Sequence, residues 1–394
     1  MKYNELKQAI EGTIDKNHDE FFDMNLHIAH NPELSGKEFK TSKKIVETLR
    51  RKGYEVEYPF DGLETAFKAK KGAGNHKYKV AILTEYDALP EIGHACGHSL
   101  SGSISCLAGL ALSSLQDELD VEIHIIGTPN EEEDGAKCKM ADDGVFDEYS
   151  EAIMVHLYNH NVPVPRLHAL NSMMYEFHGK ASHSAAAPWD GINALNAGQL
   201  MFHAMDMLRQ HVKPDVRMHG IFRNGGAAPN IVPDEVAAEV YVRSESRPYL
   251  NEIIKKVDDC AQAGCLATGA TLTRYPTAAP YDNLRENKTG NDALFEVYDE
   301  LDLKLPSRKD MEHLFGSSDI GNVSFRCPAF HPCLKLTPDD IEIHSRKFAE
   351  YVVGDEAKKM LKVGAEIIAF HIAKIFSDES RIKAMQEDFL GAQN

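Results

Sequence analysis

The sequence predicts an α/β protein in which a mainly parallel sheet covered by helices is interrupted by a smaller α+β domain. In the first half, apolar strand-like segments alternate with helical ones, the pattern of a parallel sheet with helices on both faces. Near residue 172 the pattern changes to strands around long helices, and after about residue 287 helices return. We therefore expect one domain from residues 1–171 and 287–394, and a second from residues 172–286.

The first half supplies the elements of the predicted sheet. Leu6, Ile10 and Ile14 recur every four residues, and "SKKIVETLRRKG" ends in basic residues and a glycine, which is a helix-stop signal. Strands are predicted in "YKVAILTEYDAL", "DVEIHIIGTPN" and "EAIMVHLYN". Helices are predicted between them, in "LSGSISCLAGLALSSL" and "AKCKMADDGVF".

The interrupting segment has its own set of elements. Strands are predicted in "SMMYEFHGKASHS", "VRMHGIFRNGG", "EVAAEVYVRS" and "TLTRYP". The helical stretches are "GINALNAGQLMFHAMDMLRQHV" and "YLNEIIKKVDDCAQAGCLA". About one hundred residues of this kind are enough for a small domain.

Composition excludes several classes of protein. The 394 residues are 43% hydrophobic and 26% charged, as in globular proteins. A net charge of −18 argues against nucleic acid as a partner, because phosphate binding needs clustered lysine and arginine. No apolar run approaches the roughly 20 residues that span a bilayer, and the N-terminal stretch is polar, so we expect neither membrane insertion nor secretion. Seven cysteines, an odd number, favour a cytoplasmic location over a disulfide framework.

Polar residues follow each predicted strand of the first half. Glu85 and Asp87 follow "VAIL", a run of three glutamates follows "IHIIGTPN", and His156 follows "AIMV". Ligands of open α/β sheets bind at the carboxyl ends of the strands, so these side chains should converge on one rim. Cys96 and His98 lie on the loop after the first of these strands.

Clustered carboxylates need a positive charge in a crevice, and a divalent metal supplies it. Cysteine, histidine and glutamate are ligands for zinc-like ions, and a second glutamate is then available to take a proton from water. Two other interpretations remain open at this point. The loops are solvated and bind nothing, or Cys96 is a thiol nucleophile with His98 as its base, which leaves the glutamates unexplained.

Six motifs resemble the metal-dependent amidohydrolases of the aminoacylase and carboxypeptidase metallopeptidase superfamily. They are "YDALPEIGHACGHS", "GTPNEEEDGAKCKM", "VHLYN", "GKASHSAAAPWDGINALNA", "GGAAPNIVPDEVAAEVYVRS" and "GSSDIGNVS", in family order. The most similar branch contains hippurate hydrolase, auxin-conjugate hydrolases and aminobenzoyl-glutamate hydrolase. The resemblance implies that the α/β domain is catalytic and that the smaller domain is a lid and dimerisation domain.

The resemblance also implies roles for residues of the catalytic domain. Glu131 matches the general base. If the motif is aligned one residue later, Glu132 becomes the base and Glu133 the ligand. The pattern "P-x-E-E" favours the first assignment. The last ligand is assigned to His344 in "IEIHSRKF", with His331 in "FHP" as its rival. Two divalent ions (zinc, manganese, cobalt or nickel) are expected on Cys96, His98, Glu132, His156 and His344, with the Cys96 thiolate bridging.

For the smaller domain, the resemblance implies residues that reach the substrate. His183 in "ASHSA" matches a histidine that crosses a homodimer to polarise the scissile carbonyl, and Asn230 in "APNIVPD" matches a substrate-binding position. Arg243 in "VYVRS" is a candidate for the substrate carboxylate, because arginine binds carboxylates with two hydrogen bonds. An ordinary surface position on a strand is the equal alternative for Arg243.

The implied function is hydrolysis of an amide bond in an N-acyl amino acid or a dipeptide. Metal ions activate water, Glu131 takes its proton and later protonates the leaving nitrogen, and the lid excludes solvent. The main alternative is an inactive metal-binding homologue that carries peptides or acts as a scaffold. Glu133 and Asp134 replace part of the family's glycine-rich stretch, and they favour cationic substrates or simply face solvent.

Overall fold

The computed structural model describes residues 1–72, 74–307 and 315–391. It contains two compact units, Met1–Arg166 with Leu284–Asn394, and Leu167–Asn283. A helix-covered, mainly parallel sheet lies in the first unit and an α+β arrangement in the second, so the predicted fold class is confirmed. Within the described ranges, no helix is both long and apolar enough to cross a membrane.

The strands and helices are numbered here in chain order. The strands are β1 (Glu55–Glu57), β2 (Phe67–Lys70), β3 (Tyr78–Thr84), β4 (Val121–Gly127), β5 (Glu151–Ile153), β6 (His156–Tyr158), β7 (Arg166–Leu167), β8 (Ala169–His178), β9 (Arg217–Asn224), β10 (Glu235–Ser244), β11 (Thr271–Pro276), β12 (Phe315–Gly316), β13 (Ala329–Phe330) and β14 (Cys333–Lys335). The helices are α1 (Tyr3–His30), α2 (Phe39–Arg51), α3 (His98–Leu112), α4 (Gln116–Leu119), α5 (Ala136–Asp142), α6 (Ala194–Leu208), α7 (Arg247–Thr268), α8 (Lys288–Glu300), α9 (Ile320–Val323), α10 (Arg346–Tyr351), α11 (Asp355–Phe376) and α12 (Glu379–Gly391).

The main sheet of the first unit has the strand order β1-β2-β4-β3-β5-β13. Strand β3 pairs in parallel with β4 and β5, and β5 pairs in parallel with β13. Strands β1 and β2 complete one edge in antiparallel pairing. The centre of the sheet is covered on both faces, since Val80–Thr84 is a continuous buried run.

The predicted single strand in "EAIMVHLYN" is two strands in the structure. Strand β5 belongs to the main sheet, whereas β6 pairs in parallel with β14 in a separate small sheet. The chain changes partners between them, where the Met154 amide bonds to Phe330 O at 3.2 Å and the His156 amide to Pro332 O at 3.0 Å. His156 therefore begins a strand of its own at the rim.

Helices α1, α3 and α11 pack together, and α3 packs against β3 and β4 of the main sheet. Leu6, Ile10 and Ile14 of α1 are buried, as their spacing of four predicts. Every residue of α3 is buried, which explains why this helix is built from small and apolar residues rather than an amphipathic pattern.

The second unit is an antiparallel sheet of order β11-β8-β10-β9 with helices α6 and α7. Its core consists of apolar residues from the strands and both helices, including Tyr175, Phe177, Met201 and Val257. Helix α7 begins with a Ser246 cap that accepts from the Tyr249 amide, and it ends at Gly269 in the left-handed conformation. Each predicted strand and helix of this segment is present.

Candidate metal centre

The polar residues that follow the strands of the first unit meet in three groups of potential metal ligands. Within each group, one ligand atom per residue lies within 4.8 Å of the others. The predicted convergence at the carboxyl ends of β3, β4 and the start of β6 is therefore present in the geometry. The groups are Cys96, His98 and Glu132; Glu85, His98 and His156; and Glu85, Glu131 and Asp319.

Gly97 allows Cys96 and His98 to point into the same group. It has φ of +86°, in the region that favours glycine, and it precedes the first residue of α3. A Cβ at this position would lie 2.7 Å from Leu157 Cβ, so a larger residue would displace the strand that carries His156.

Two carboxylates flank the imidazole of His98, and Asp87 is hydrogen-bonded to it. Its Nδ1 lies 2.8 Å from Asp87 Oδ1, and its Nε2 lies 3.2 Å from Glu85 Oε2. Asp87 also accepts a hydrogen bond from the Glu132 amide at 3.0 Å, which ties the two loops together. Burial opposes protonation, but Cys96, Asp87 and Glu85 outweigh it and raise the pKa of His98 well above its usual value. Asp87 thus occupies the place of a carboxylate that orients a ligating histidine.

The first group contains a thiol that needs a nearby cation to ionise. Cys96 is fully buried, and burial raises the pKa of its thiol to about 12. Metal ligation would supply the missing positive charge, because a coordinating thiol loses its proton to the metal. The donors S, N and O in this group suit zinc-like ions.

The second group contains buried polar atoms without hydrogen bonds. His98 Nε2 and Glu85 Oε2 make none to the described residues, although both are buried. The ring of His156 stands edge-on to His98 at 5.4 Å between centroids, and its Nδ1 is bonded to Leu157 O at 2.7 Å. The Nε2 side of His156 is therefore the side available to a ligand, and the donors fit a second divalent ion.

Both candidates for the last ligand lie beside this centre. His344 Nε2 is 3.3 Å from Glu132 Oε1, and its amide bonds to Ala95 O at 2.9 Å, next to Cys96. His331 stacks on His156 at 5.3 Å and is buried, and neither ring nitrogen bonds to a described residue. The geometry brings His344 to the first group and His331 to the second, so the choice between them stays a prediction.

Glu131, the predicted base, belongs to the third group. Burial raises the pKa of Glu131 well above its usual value, and the charges of Glu85 and Glu132 add to the effect. A carboxyl group whose pKa is raised accepts a proton more readily, which favours a proton-transfer role. Glu133, the ligand that the shifted register would require, is exposed.

Lys137 and Asp319 complete the third group, and no role for either was predicted. Lys137 is fully buried, with Nζ 2.6 Å from both Glu85 Oε1 and Asp319 Oδ1. A lysine in "EDGAKCKM" looks like any surface lysine, because burial cannot be read from one residue type. Asp319 lies in "GSSDIGNVS", whose resemblance to the family was the available signal.

In the second unit, His183 and Asn230 lie together and Arg243 lies apart. His183 forms a β-bridge with Ile231, and the Ser184 amide bonds to Asn230 O at 3.0 Å. Both side chains are exposed. Arg243 is the last residue but one of β10, which begins at Glu235. At about 3.3 Å per residue, the two residues lie roughly 25 Å apart along the strand. The geometry of this unit therefore gives no support to a shared role for Arg243 and His183.

Comparisons with known proteins agree with the predicted family. Residues 169–268 match the model of the M20 peptidase dimerisation domain. The chain is 34% identical over 341 residues to Xaa-Arg dipeptidase of Mus musculus, covering 84% of this chain and 79% of that protein. It is 26% identical over 320 residues to one of the subunits of p-aminobenzoyl-glutamate hydrolase of Escherichia coli, covering 74% of this chain and 65% of that protein.

The fold agrees as well. The chain matches the solved structure of a dinuclear metal-binding peptidase of the M20 family from Bacillus subtilis with a TM-score of 0.69, at 18% identity, covering 92% of this chain and 99% of that one. Sequence similarity to the mouse dipeptidase over most of both chains, with the dimerisation-domain match, establishes the relationship. The chain belongs to the M20 family of metal-dependent peptidases and amidohydrolases.

Proposed function

We propose that this protein hydrolyses the amide bond of dipeptides or N-acyl amino acids, using two divalent metal ions and Glu131 as the proton-transfer group. The observation that carries the proposal is that the first and second groups of potential metal ligands both contain His98. The Glu131 carboxyl group belongs to the third group, which shares Glu85 with the second. A thiol-nucleophile mechanism is disfavoured by the same geometry, because burial raises the pKa of Cys96.

When bound, two divalent ions supply Lewis acidity and make a water molecule more acidic. Cys96, His98, Glu132, His156 and His344 are the residues proposed to hold them, with His331 as the rival of His344. Glu131 accepts the proton of the attacking water and returns it to the nitrogen of the leaving group. Asp87 keeps His98 oriented throughout, so the chain's own contribution is positioning and proton transfer.

Dipeptides with a cationic C-terminal residue are the first substrates we propose. The similar mouse protein is named an Xaa-Arg dipeptidase. In this chain Glu133 and Asp134 are exposed beside the metal ligands, where they add negative charge that attracts a cationic substrate. N-acyl amino acids are the second class, because other relatives include an N-acetyl-L-cysteine deacetylase of Bacillus subtilis.

For the smaller unit we propose a lid and a homodimer interface, with His183 and Asn230 acting on the substrate of the partner subunit. The match to the dimerisation domain supports this role. Arg243 stays a prediction for binding the substrate carboxylate. Seven free thiols agree with a reducing cytoplasm as the proposed compartment.

The test is a screen of dipeptides and N-acyl amino acids on protein supplied with manganese, zinc, cobalt or nickel, reading the released amine. We expect turnover that chelator abolishes and metal restores, with dipeptides ending in arginine or lysine at the highest kcat/KM. Turnover that survives complete metal removal would contradict the mechanism. Metal binding with no turnover on any substrate would favour the non-catalytic alternative.

A further inference from the structure

Lys137 carries a buried ammonium group beside the candidate metal centre. It is the second residue of α5 and is 0% exposed. Its Nζ donates to Glu85 Oε1 and to Asp319 Oδ1, each at 2.6 Å, and its backbone amide donates to Asp319 Oδ2 at 3.0 Å. Three short contacts therefore fix a lysine that the proposed mechanism does not use.

The surroundings of this ammonium group are a set of carboxylates. Glu85, Glu131 and Asp319 present oxygens within 4.8 Å of one another. Such an all-oxygen donor set suits Mg²⁺ or Mn²⁺, and without a cation it would be repulsive and costly to bury. Lys137 supplies the positive charge as a permanent part of the chain.

Glu85 connects this cluster to the metal ligands. One of its oxygens accepts from Lys137, and the other faces His98 Nε2 at 3.2 Å. A lysine that donates a hydrogen bond to one oxygen of a carboxylate restricts the direction in which the other oxygen points. The hydrogen bond from Lys137 therefore orients Glu85 toward His98.

We propose that Lys137 is a positioning residue whose ammonium takes the place of a third cation in the Glu85–Glu131–Asp319 cluster and holds Glu85 against His98. The cluster is thereby closed to metal, and the divalent ions are confined to the groups that contain His98. The metal-binding part of this proposal stands on the geometry alone, whereas its effect on rate rests on the proposed hydrolase function.

Equilibrium dialysis against Mn²⁺, followed by metal analysis, tests the first part. Lys137→Met removes the cation and leaves three carboxylates, so it should bind one more Mn²⁺ per chain than wild type. Lys137→Arg keeps the charge and should bind the wild-type number. Lys139→Met, at the exposed lysine two residues along the same helix, should also match wild type. A Lys137→Met protein with the wild-type Mn²⁺ content would overturn the proposal.

A second variant covers the case in which Lys137→Met does not fold, since an uncompensated buried charge is destabilising. The double variant Lys137→Met with Asp319→Asn removes the cation together with one carboxylate. With Glu85 no longer held, kcat should fall by about tenfold or more, the usual effect of losing an outer-shell partner, while KM changes less than about threefold. A double variant with wild-type kcat would overturn the proposal.

The two measurements also separate this inference from the proposed function. If wild-type protein binds metal but hydrolyses nothing, the hydrolase proposal fails while the dialysis comparison still decides the role of Lys137. If wild-type protein is active and the Lys137 variants match it in metal content and kcat, only the positioning role fails.

Discussion

Most candidate groups of the first unit are buried and held by one another, with His344 as the exposed exception, whereas those of the second unit are exposed. Cys96, His98 and Asp87 are each 0% exposed; His98 Nδ1 lies 2.8 Å from Asp87 Oδ1, and Cys96 Sγ lies 3.9 Å from Asp87 O. His183 and Asn230 are at the surface, and His183 Nδ1 accepts hydrogen bonds from the amides of Ala185 and Ala186 in its own turn, both at 3.2 Å. The buried groups of the first unit are therefore held in position before any substrate binds. The exposed groups of the second unit are placed to contact a molecule from outside that unit.

Burial of the charged groups in the first unit also has a cost in folding free energy. Buried charges are costly unless each is paired and hydrogen-bonded, so a unit that buries several carboxylates, imidazoles and a lysine must match them closely. In the proposed mechanism, divalent metal ions would complete that match in the first unit. In the second unit no such cost is present at His183, and a substitution there should affect turnover without affecting stability.

The largest effect is expected at Glu131. Glu131→Gln keeps the size of the side chain but removes its ability to take a proton, so kcat should fall by about 10³-fold or more. Two metals should remain bound, measured by metal analysis of the purified variant. Glu133→Gln, at the exposed neighbour, is the matched control and should keep most of the kcat, because the proposed role of Glu133 is to attract a cationic substrate. Retained activity in Glu131→Gln, or loss of metal and activity in Glu133→Gln, would indicate the shifted register. Loss of metal in Glu131→Gln would mean that Glu131 is itself a ligand.

A smaller effect, on both metal affinity and kcat, is expected from a substitution at Cys96. Cys96→Ser replaces a soft thiolate by a poor ligand, so metal affinity and kcat should each fall by about 10²-fold. Because burial raises the pKa of this thiol to about 12, the wild-type thiol is protonated at neutral pH without metal. Metal binding must release that proton, so affinity should weaken as pH falls, by up to about tenfold per unit for each proton released.

Competition titrations against a chelator at pH 6, 7 and 8 measure that dependence. The serine variant should show a shallower dependence on pH than wild type. Cys265→Ser, which changes a buried cysteine of the second unit, is the control. Equal affinity and equal pH slope in wild type and Cys96→Ser would exclude the thiolate from the metal site.

Sequence patterns predicted the parts of the first unit that follow from strand order. Polar residues after successive parallel strands must lie at one edge, so the convergence of Cys96, His98, Glu132 and His156 was foreseeable. Lys137 was not, because its burial depends on the packing of α5 against α9 rather than on its neighbours in sequence. Nor was the break before His156, since it depends on the distant strands β13 and β14.

The exposed groups of the second unit provide the next test. His183→Ala should lose about 10²-fold in kcat if it stabilises the developing oxyanion, with an unchanged unfolding midpoint. Refolding a mixture of His183→Ala and Glu131→Gln should give about half heterodimers, each with one complete site, and so about a quarter of wild-type activity per chain. No recovery in a mixture shown to contain heterodimers would mean that His183 does not act across a dimer.

The smallest effect is expected at Glu366, a buried carboxyl group of the first unit that lies outside the candidate site. Lys362 Nζ lies 3.8 Å from Glu366 Oε1, and burial raises the pKa of Glu366 to about 7. Between about pH 4.5 and 7 the folded chain keeps a proton that the unfolded chain releases, so this group lowers stability as pH rises through that window. Glu366→Gln removes the carboxyl group and should stabilise the protein by about 2 kcal/mol at pH 8 but much less at pH 5.

Urea unfolding of wild type and variant at both pH values measures the difference. Glu356→Gln, on the exposed side of the same helix, should not show a comparable rise between pH 5 and pH 8. A Glu366→Gln gain at pH 8 would show that this unit tolerates an unmatched buried carboxylate at a cost to stability. Carboxylates that are matched, such as Glu85 with Lys137, would then differ from Glu366 by their partners and not by their burial. Equal stability of both proteins at pH 8 would mean that relaxation around Glu366 already offsets the cost of burying it.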